Sequence, residues 1–196
     1  TTSVNTTAGI SIGTYTGTGS AATIGHGLGV APQMVIVKER ANDVGGWYVY
    51  HEGVAVTDPE TDYLLLNIAA VLTDDATVWN DTAPTSTVFS IGTNDDVNGS
   101  TDTYVYYAFA SVEGFSKFGS YTGNGDADGP FIYTGFKPSF VVARGVGARD
   151  TFIYDSQRSP YNVVDAGSYI NEAAADYTGY KMDFLSNGFK IRTNLT

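Results

Sequence analysis

Apolar and polar residues alternate in several short runs along the chain. WYVYH (residues 47–51), STVFSIG (86–92) and TYVYYAFA (103–110) each put every second side chain on one face, the signature of a strand with one face buried and the other wet. In the last run Tyr104, Tyr106 and Ala108 share one face, and Val105, Tyr107 and Phe109 share the other. Two further apolar runs, Met34–Lys38 and Phe140–Arg144, come shortly after Pro32 and Pro138. Proline cannot donate to a ladder and fits the first residue of a strand, so a strand is predicted to start at each. YLLLNIAAVL (63–72) reads equally as a buried strand or a short helix, and NEAAADY (171–177) is predicted to form a helical turn. Strands at roughly 8–12-residue spacing with turn clusters between them predict an all-β fold of antiparallel β-sandwich or jelly-roll-like units.

The pattern also repeats. GTYTGTG (13–19) returns as GSYTGNG (119–125), a shift of 119 − 13 = 106 residues, and each is predicted to open its unit as a Tyr-containing strand between glycines. At the same shift Gly29, Pro32 and Lys38 fall on Gly135, Pro138 and Arg144. YVYH (48–51) lies over FIYD (152–155), Tyr63…Asn67 meets Tyr169…Asn171, and VFSIGTN (88–94) lies over GFKIRTN (188–194). Matches in one order, drifting only where loops lie, mark an internal repeat. The predicted organisation is an N-terminal arm (1–12), a first β unit (13–112) and a second β unit (113–196), with the junction near 112–118. The second unit has no counterpart of TYVYYAFA within the sequence and is predicted to be one strand short. Two explanations stand: the chain is a piece of a longer protein, or Thr1–Ile12 fills the gap in a neighbouring subunit and links copies head to tail.

Composition supports short strands and narrows the partners. Gly (23) and Tyr (14) are abundant, which favours strands and turns over helices. With 21 acidic against 10 basic residues the formal charge is −11, a field that repels phosphate backbones and anionic lipid heads. Neither nucleic acid nor membrane is an expected partner. No apolar run reaches the roughly 18 residues of a spanning helix. Thr1–Gly9 lacks the basic start and apolar centre of a signal peptide, so the chain reads as a mature or excised segment. It contains no Cys, and so neither disulfides nor thiolate metal sites.

The chemical inventory is thin. Only two histidines occur, His26 and His51, and no G-x-S-x-G elbow is present, so no enzyme is expected. GNGDADGP (123–130) places Asn124, Asp126 and Asp128 as in the first half of a calcium loop. Gly135 stands where the closing Glu should be, and the alternative reading is a polar hairpin turn. Otherwise no cofactor is expected. Asp74–Asp75 and Asp95–Asp96 read as turn residues, and the N-x-[ST] triplets at Asn5, Asn80, Asn98 and Asn194 are of the number that a Thr- and Asn-rich chain produces by chance. Trp47, with Tyr50 on the same strand, and Trp79 sit beside turns and are candidates for stacking on sugar rings, the alternative being a place in the core.

GHGLGVAPQMVIVKER, YLLLN, WNDTAPTSTVFSIG, VEGFSKFGSYTGNG and DGPFIYTGFKPSF resemble a repeat of bacteriophage tail-fibre-like and other virion structural proteins, particularly those from marine metagenomes. The likeness runs over nearly the whole chain. It implies a virion or extracellular β protein that works with other virion subunits, as a homo-oligomer, and presents loops and aromatic edges to a host surface glycan or protein receptor. Affinity would then come from many copies. The resemblance brings no catalytic or binding residue with it. Two alternatives are a capsid decoration or fibre-shaft subunit with only virion partners, and a glycan-degrading enzyme of the tailspike kind.

Overall fold

The computed structural model describes residues 1–41 and 45–193. In chain order its elements begin with strands β1 (Thr2–Asn5), β2 (Ile10–Thr16), β3 (Ala22–Gly25), β4 (Met34–Glu39), β5 (Trp47–His51), β6 (Asp62–Leu65) and β7 (Thr73–Asp74). Helix α1 (Ala76–Trp79), β8 (Val88–Ile91), helix α2 (Asp95–Asn98) and β9 (Thr103–Phe109) follow. The second half holds β10 (Phe131–Tyr133), β11 (Phe140–Arg144), β12 (Thr151–Asp155), β13 (Gly167–Tyr169), β14 (Met182–Leu185) and β15 (Gly188–Ile191). The fold is all-β and its strand pairs are antiparallel, as the alternating runs predict.

A seven-stranded sheet of order β1-β2-β9-β4-β5-β6-β7 dominates the first half, with β3 and β8 paired separately. β9 lies near the centre of this sheet, between β2 and β4, with one face buried and the other partly covered. Tyr104, Tyr106 and Ala108 face a core shared with Val35, Val37, Tyr48, Tyr50, Phe89 and Ile91, closed by Val78, Trp79 and Val97 of the helical turns. Tyr107 and Phe109 pack on the opposite side against Ile36, Val49 and Leu64. Burying side chains of this size contributes roughly 1.5–3 kcal/mol each.

The second half pairs matching residues in matching registers. Val35↔Tyr50 on β4 and β5 corresponds to Val141↔Tyr154 on β11 and β12. Phe89 of β8 and Phe189 of β15 hold matching places, but their partners do not: Ile24 faces Phe89, whereas Ile132, which the 106-residue shift sets against His26, faces Phe189. Val141, Tyr154, Phe189 and Ile191 then form a second core with Val164, Met182 and Phe184, just as Val35, Tyr50, Phe89 and Ile91 do in the first.

Several expectations need correction. GSYTGNG forms no strand: β2 is held between β1 and β9, whereas residues 119–125 have no ladder partner among the described residues, and the Tyr121 ring packs edge-on against Phe189 instead. In this chain residues 1–12 are not a free arm: β1 pairs with β2 from Thr2↔Gly13 to Asn5↔Ile10, across the expected boundary. NEAAADY is not helical. The Asn171 side chain holds the Thr151 N–H at 2.7 Å, and Tyr177 exchanges backbone hydrogen bonds with Gly167 at 2.8 and 2.6 Å, so the segment is drawn out alongside β13. Of the ambiguous YLLLN run, residues 63–65 belong to strand β6. Pro32 and Pro138 precede β4 and β11 and lie outside them.

Candidate functional site

Helix α1 exists because Asp75 caps it. The carboxylate accepts from the Thr77 N–H at 2.9 Å, and Asn80 ends the helix in the left-handed conformation at φ 56°, both expected of Asx residues at helix ends. This short turn drives Trp79 inward, where 2 % of its surface stays exposed and its indole N–H donates to the Asp62 carbonyl at 3.1 Å. Tyr50 is equally buried at 4 %, and burial pushes its phenol up to about 12. Trp79 and Tyr50 are therefore core residues, and the expectation that they stack on a ligand is overturned. They sit beside turns in the sequence, but those turns fold back over the sheet. Trp47 is half-buried and stacks on Tyr107 with ring centroids 6.3 Å apart, so the three aromatics do not form one surface.

Asn124, Asp126 and Asp128 do meet in one exposed turn, but the side-chain oxygens of Asn124 and Asp126 are turned on the turn itself and the carboxylate of Asp128 on Lys190. Asn124 accepts from the Asp126 N–H at 3.1 Å and Asp126 from the Asp128 N–H at 2.8 Å. The Asp128 carboxylate sits 2.8 Å from the Lys190 ammonium, which with Arg192 holds it below the usual carboxylate range. Among the described residues no group of three or more His, Asp or Glu gathers as a metal site would require.

Both histidines serve the fold. His26 is fully buried, with Nε2 3.1 Å from the Thr85 carbonyl and Nδ1 accepting from the Leu28 N–H at 3.2 Å, which assigns the proton to Nε2. His51 Nδ1 accepts from the Gly53 N–H at 3.0 Å. Burial lowers the pKa of each. Of the four glycosylation triplets, Asn98 is excluded by its burial and by three hydrogen bonds: Oδ1 accepts from Thr18, and Nδ2 donates to the carbonyls of Ser20 and Gly92. Asn194 lies outside the described residues.

The surface with the chemistry of a ligand site lies elsewhere. A groove of about 340 Å³ runs between the segment after β9 and the turn after β10, lined by Ser111, Glu113, Ser116, Lys117, Tyr133 and Thr134. The Tyr133 ring is 65 % exposed, and Ser111 Oγ is oriented by accepting from the Phe118 N–H at 3.0 Å. Sequence reasoning missed this groove. The alternation in FIY does set Phe131 and Tyr133 on one face, but nothing local says that this face is the one left open. A smaller hollow of about 150 Å³ beside Lys137, Tyr161 and Asn162 has a more exposed tyrosine but no acidic group.

The chain is an antiparallel all-β protein with one groove lined by a tyrosine, hydroxyl groups and both signs of charge. It belongs to the family described as Domain of unknown function (DUF7483), whose profile matches residues 1–196. No curated protein and no solved structure matches the chain. Among the described residues no helix is long and apolar enough to cross a membrane.

Proposed function

We propose that the protein is a virion structural element of the tail-fibre or adhesive kind, acting at the virion surface in many copies and offering the Tyr133 groove to host surface glycans. The virion setting rests on the resemblance of the sequence to phage structural repeats. The adhesive role is supported by one observation, an exposed Tyr133 ring beside the side chains of Glu113, Lys117, Ser111 and Ser116. An aromatic face takes the C–H face of a sugar, and flanking hydroxyl and charged groups hydrogen-bond its rim. Such contacts are weak singly and are multiplied by copy number. The matching registers of the two halves further support a reading of residues 13–112 and 113–196 as related sandwich-like units.

The test is a glycan array probed with the protein displayed in multiple copies, together with Tyr133→Ala. Retention of a defined glycan that falls at least tenfold in the variant supports the reading. Retention of no glycan, or equal retention by both proteins, overturns it. Release of reducing ends from a host polysaccharide would identify a glycan-degrading enzyme instead.

A further inference from the structure

Gln33 and Ser139 hold matching places just before β4 and β11. The Gln33 carbonyl accepts from the Glu52 N–H and the Ser139 carbonyl from the Ser156 N–H, both at 2.9 Å. Beyond that point the halves differ. β4 is flanked on its other side by β9, in the register Met34↔Phe109, Val35↔Ala108, Ile36↔Tyr107. β11 is the outer strand of its sheet, with β12 on one side and, among the described residues, no strand on the other.

Ladder alternation identifies the groups this leaves at the edge. Because the Ser139 carbonyl faces β12, Val141 and Ala143 do so too, and Phe140, Val142 and Arg144 turn their N–H and C=O groups to the open side. Their side chains agree: Phe140 is 57 % and Val142 47 % exposed, whereas the corresponding Met34 and Ile36 lie in a cluster with Tyr107 and Phe109 of β9. The open stretch is short. It ends past Arg144, where the Leu72 N–H donates to the Val146 carbonyl at 2.7 Å.

We propose that the β11 edge binds an extended strand of a separate polypeptide, added antiparallel and patterned like TYVYYAFA. In the β4–β9 register, aromatic residues of that strand lie opposite Phe140 and Val142, and a small residue lies opposite Val141. The main chain supplies affinity and the alternating side chains select the sequence. Two observations define the occupant: the first half shows which strand covers this edge, and the N-terminal strand β1 is already engaged with β2.

The probe is a fluorescent peptide carrying TYVYYAFA between lysine pairs, titrated into the full chain and read by anisotropy. Saturable binding of one peptide per chain is expected, at least tenfold tighter than a lysine-flanked peptide of the same composition with its aromatics grouped. Val142→Pro removes an N–H that faces the open edge, where proline is tolerated, and should weaken binding at least tenfold while leaving the circular dichroism spectrum unchanged. Val142→Lys, at an exposed side chain, should act in the same direction and serves if the proline variant fails to fold. Equal binding of the two peptides, or variants that bind like the parent, overturns the proposal. So does a dimer, seen by sedimentation, that Val142→Lys dissociates and the peptide does not.

Discussion

Trp79 meets Tyr50 edge to face, with ring centroids 6.1 Å apart and planes at 76°. The contact ties the one-turn helix α1 to β5 in the middle of the large sheet, and edge-to-face pairs of this kind add roughly 0.5–1.5 kcal/mol beyond the area they bury. Trp79→Ala should lower stability by about 3–5 kcal/mol, read as a shift of the urea midpoint by far-UV circular dichroism. Trp47→Ala, at a half-buried ring, should cost clearly less. Equal losses would contradict the placement of Trp79 in the core.

Asn98 joins three segments from a fully buried position, through the Thr18 N–H and the carbonyls of Ser20 and Gly92. Asn98→Ala strands these groups and should cost at least about 2 kcal/mol. Asn98→Asp places a carboxylate against the Ser20 and Gly92 carbonyls, raising its folded-state pKa above the unfolded value. Relative to the parent, that variant should therefore gain stability as pH falls from 7 to 5, which parallel pH series of urea melts would detect.

His26 and His51 are both shifted below the ordinary 6.5 by burial. The unfolded chain then takes up protons near pH 6.5 that the folded chain does not. Stability is full above that pH and declines as pH falls through it toward the folded values, by up to roughly 1.4 kcal/mol per pH unit for each histidine. Glu52, whose pKa is raised by burial, works in the opposite sense as pH falls. His26→Gln should flatten the slope between pH 7 and 5.5, whatever it does to absolute stability; an unchanged slope would remove His26 from this account.

Gly92 follows β8 and passes under α1, where an added Cβ would stand 2.0 Å from the Thr77 carbonyl oxygen. The backbone cannot separate there without losing the Gly92 N–H bond to Val78 at 2.9 Å. Gly92→Ala should destabilise by roughly 1–3 kcal/mol. Gly119→Ala, with no atom within 4 Å of its added Cβ, should fall within about 0.5 kcal/mol of the parent. Thermal melts of the two variants make the comparison.

The strands were legible in the sequence because a period of two is a local property. It placed Tyr104, Tyr106 and Ala108 on one face and Tyr107 and Phe109 on the other, and the structure buries the two sets in separate clusters. The matched pairings Val35↔Tyr50 and Val141↔Tyr154 were legible for the same reason, since these residues stand in similar local patterns. The fate of residues 119–125 was not. GSYTGNG has the local character of β2, but a strand needs a neighbour to satisfy its backbone, and β9, about a hundred residues from β2 in sequence, supplies one only to the first copy. Burial of Trp79 and Tyr50 was hidden likewise: a tryptophan beside a turn looks exposed until the turn folds over the sheet. That the second half lacks a counterpart of TYVYYAFA was legible in the sequence; the groove at Tyr133, and that β11 is the strand left at an edge, were visible only in three dimensions. Local pattern determines which residues can share a face, and long-range packing alone decides which face or edge is left for something else to cover.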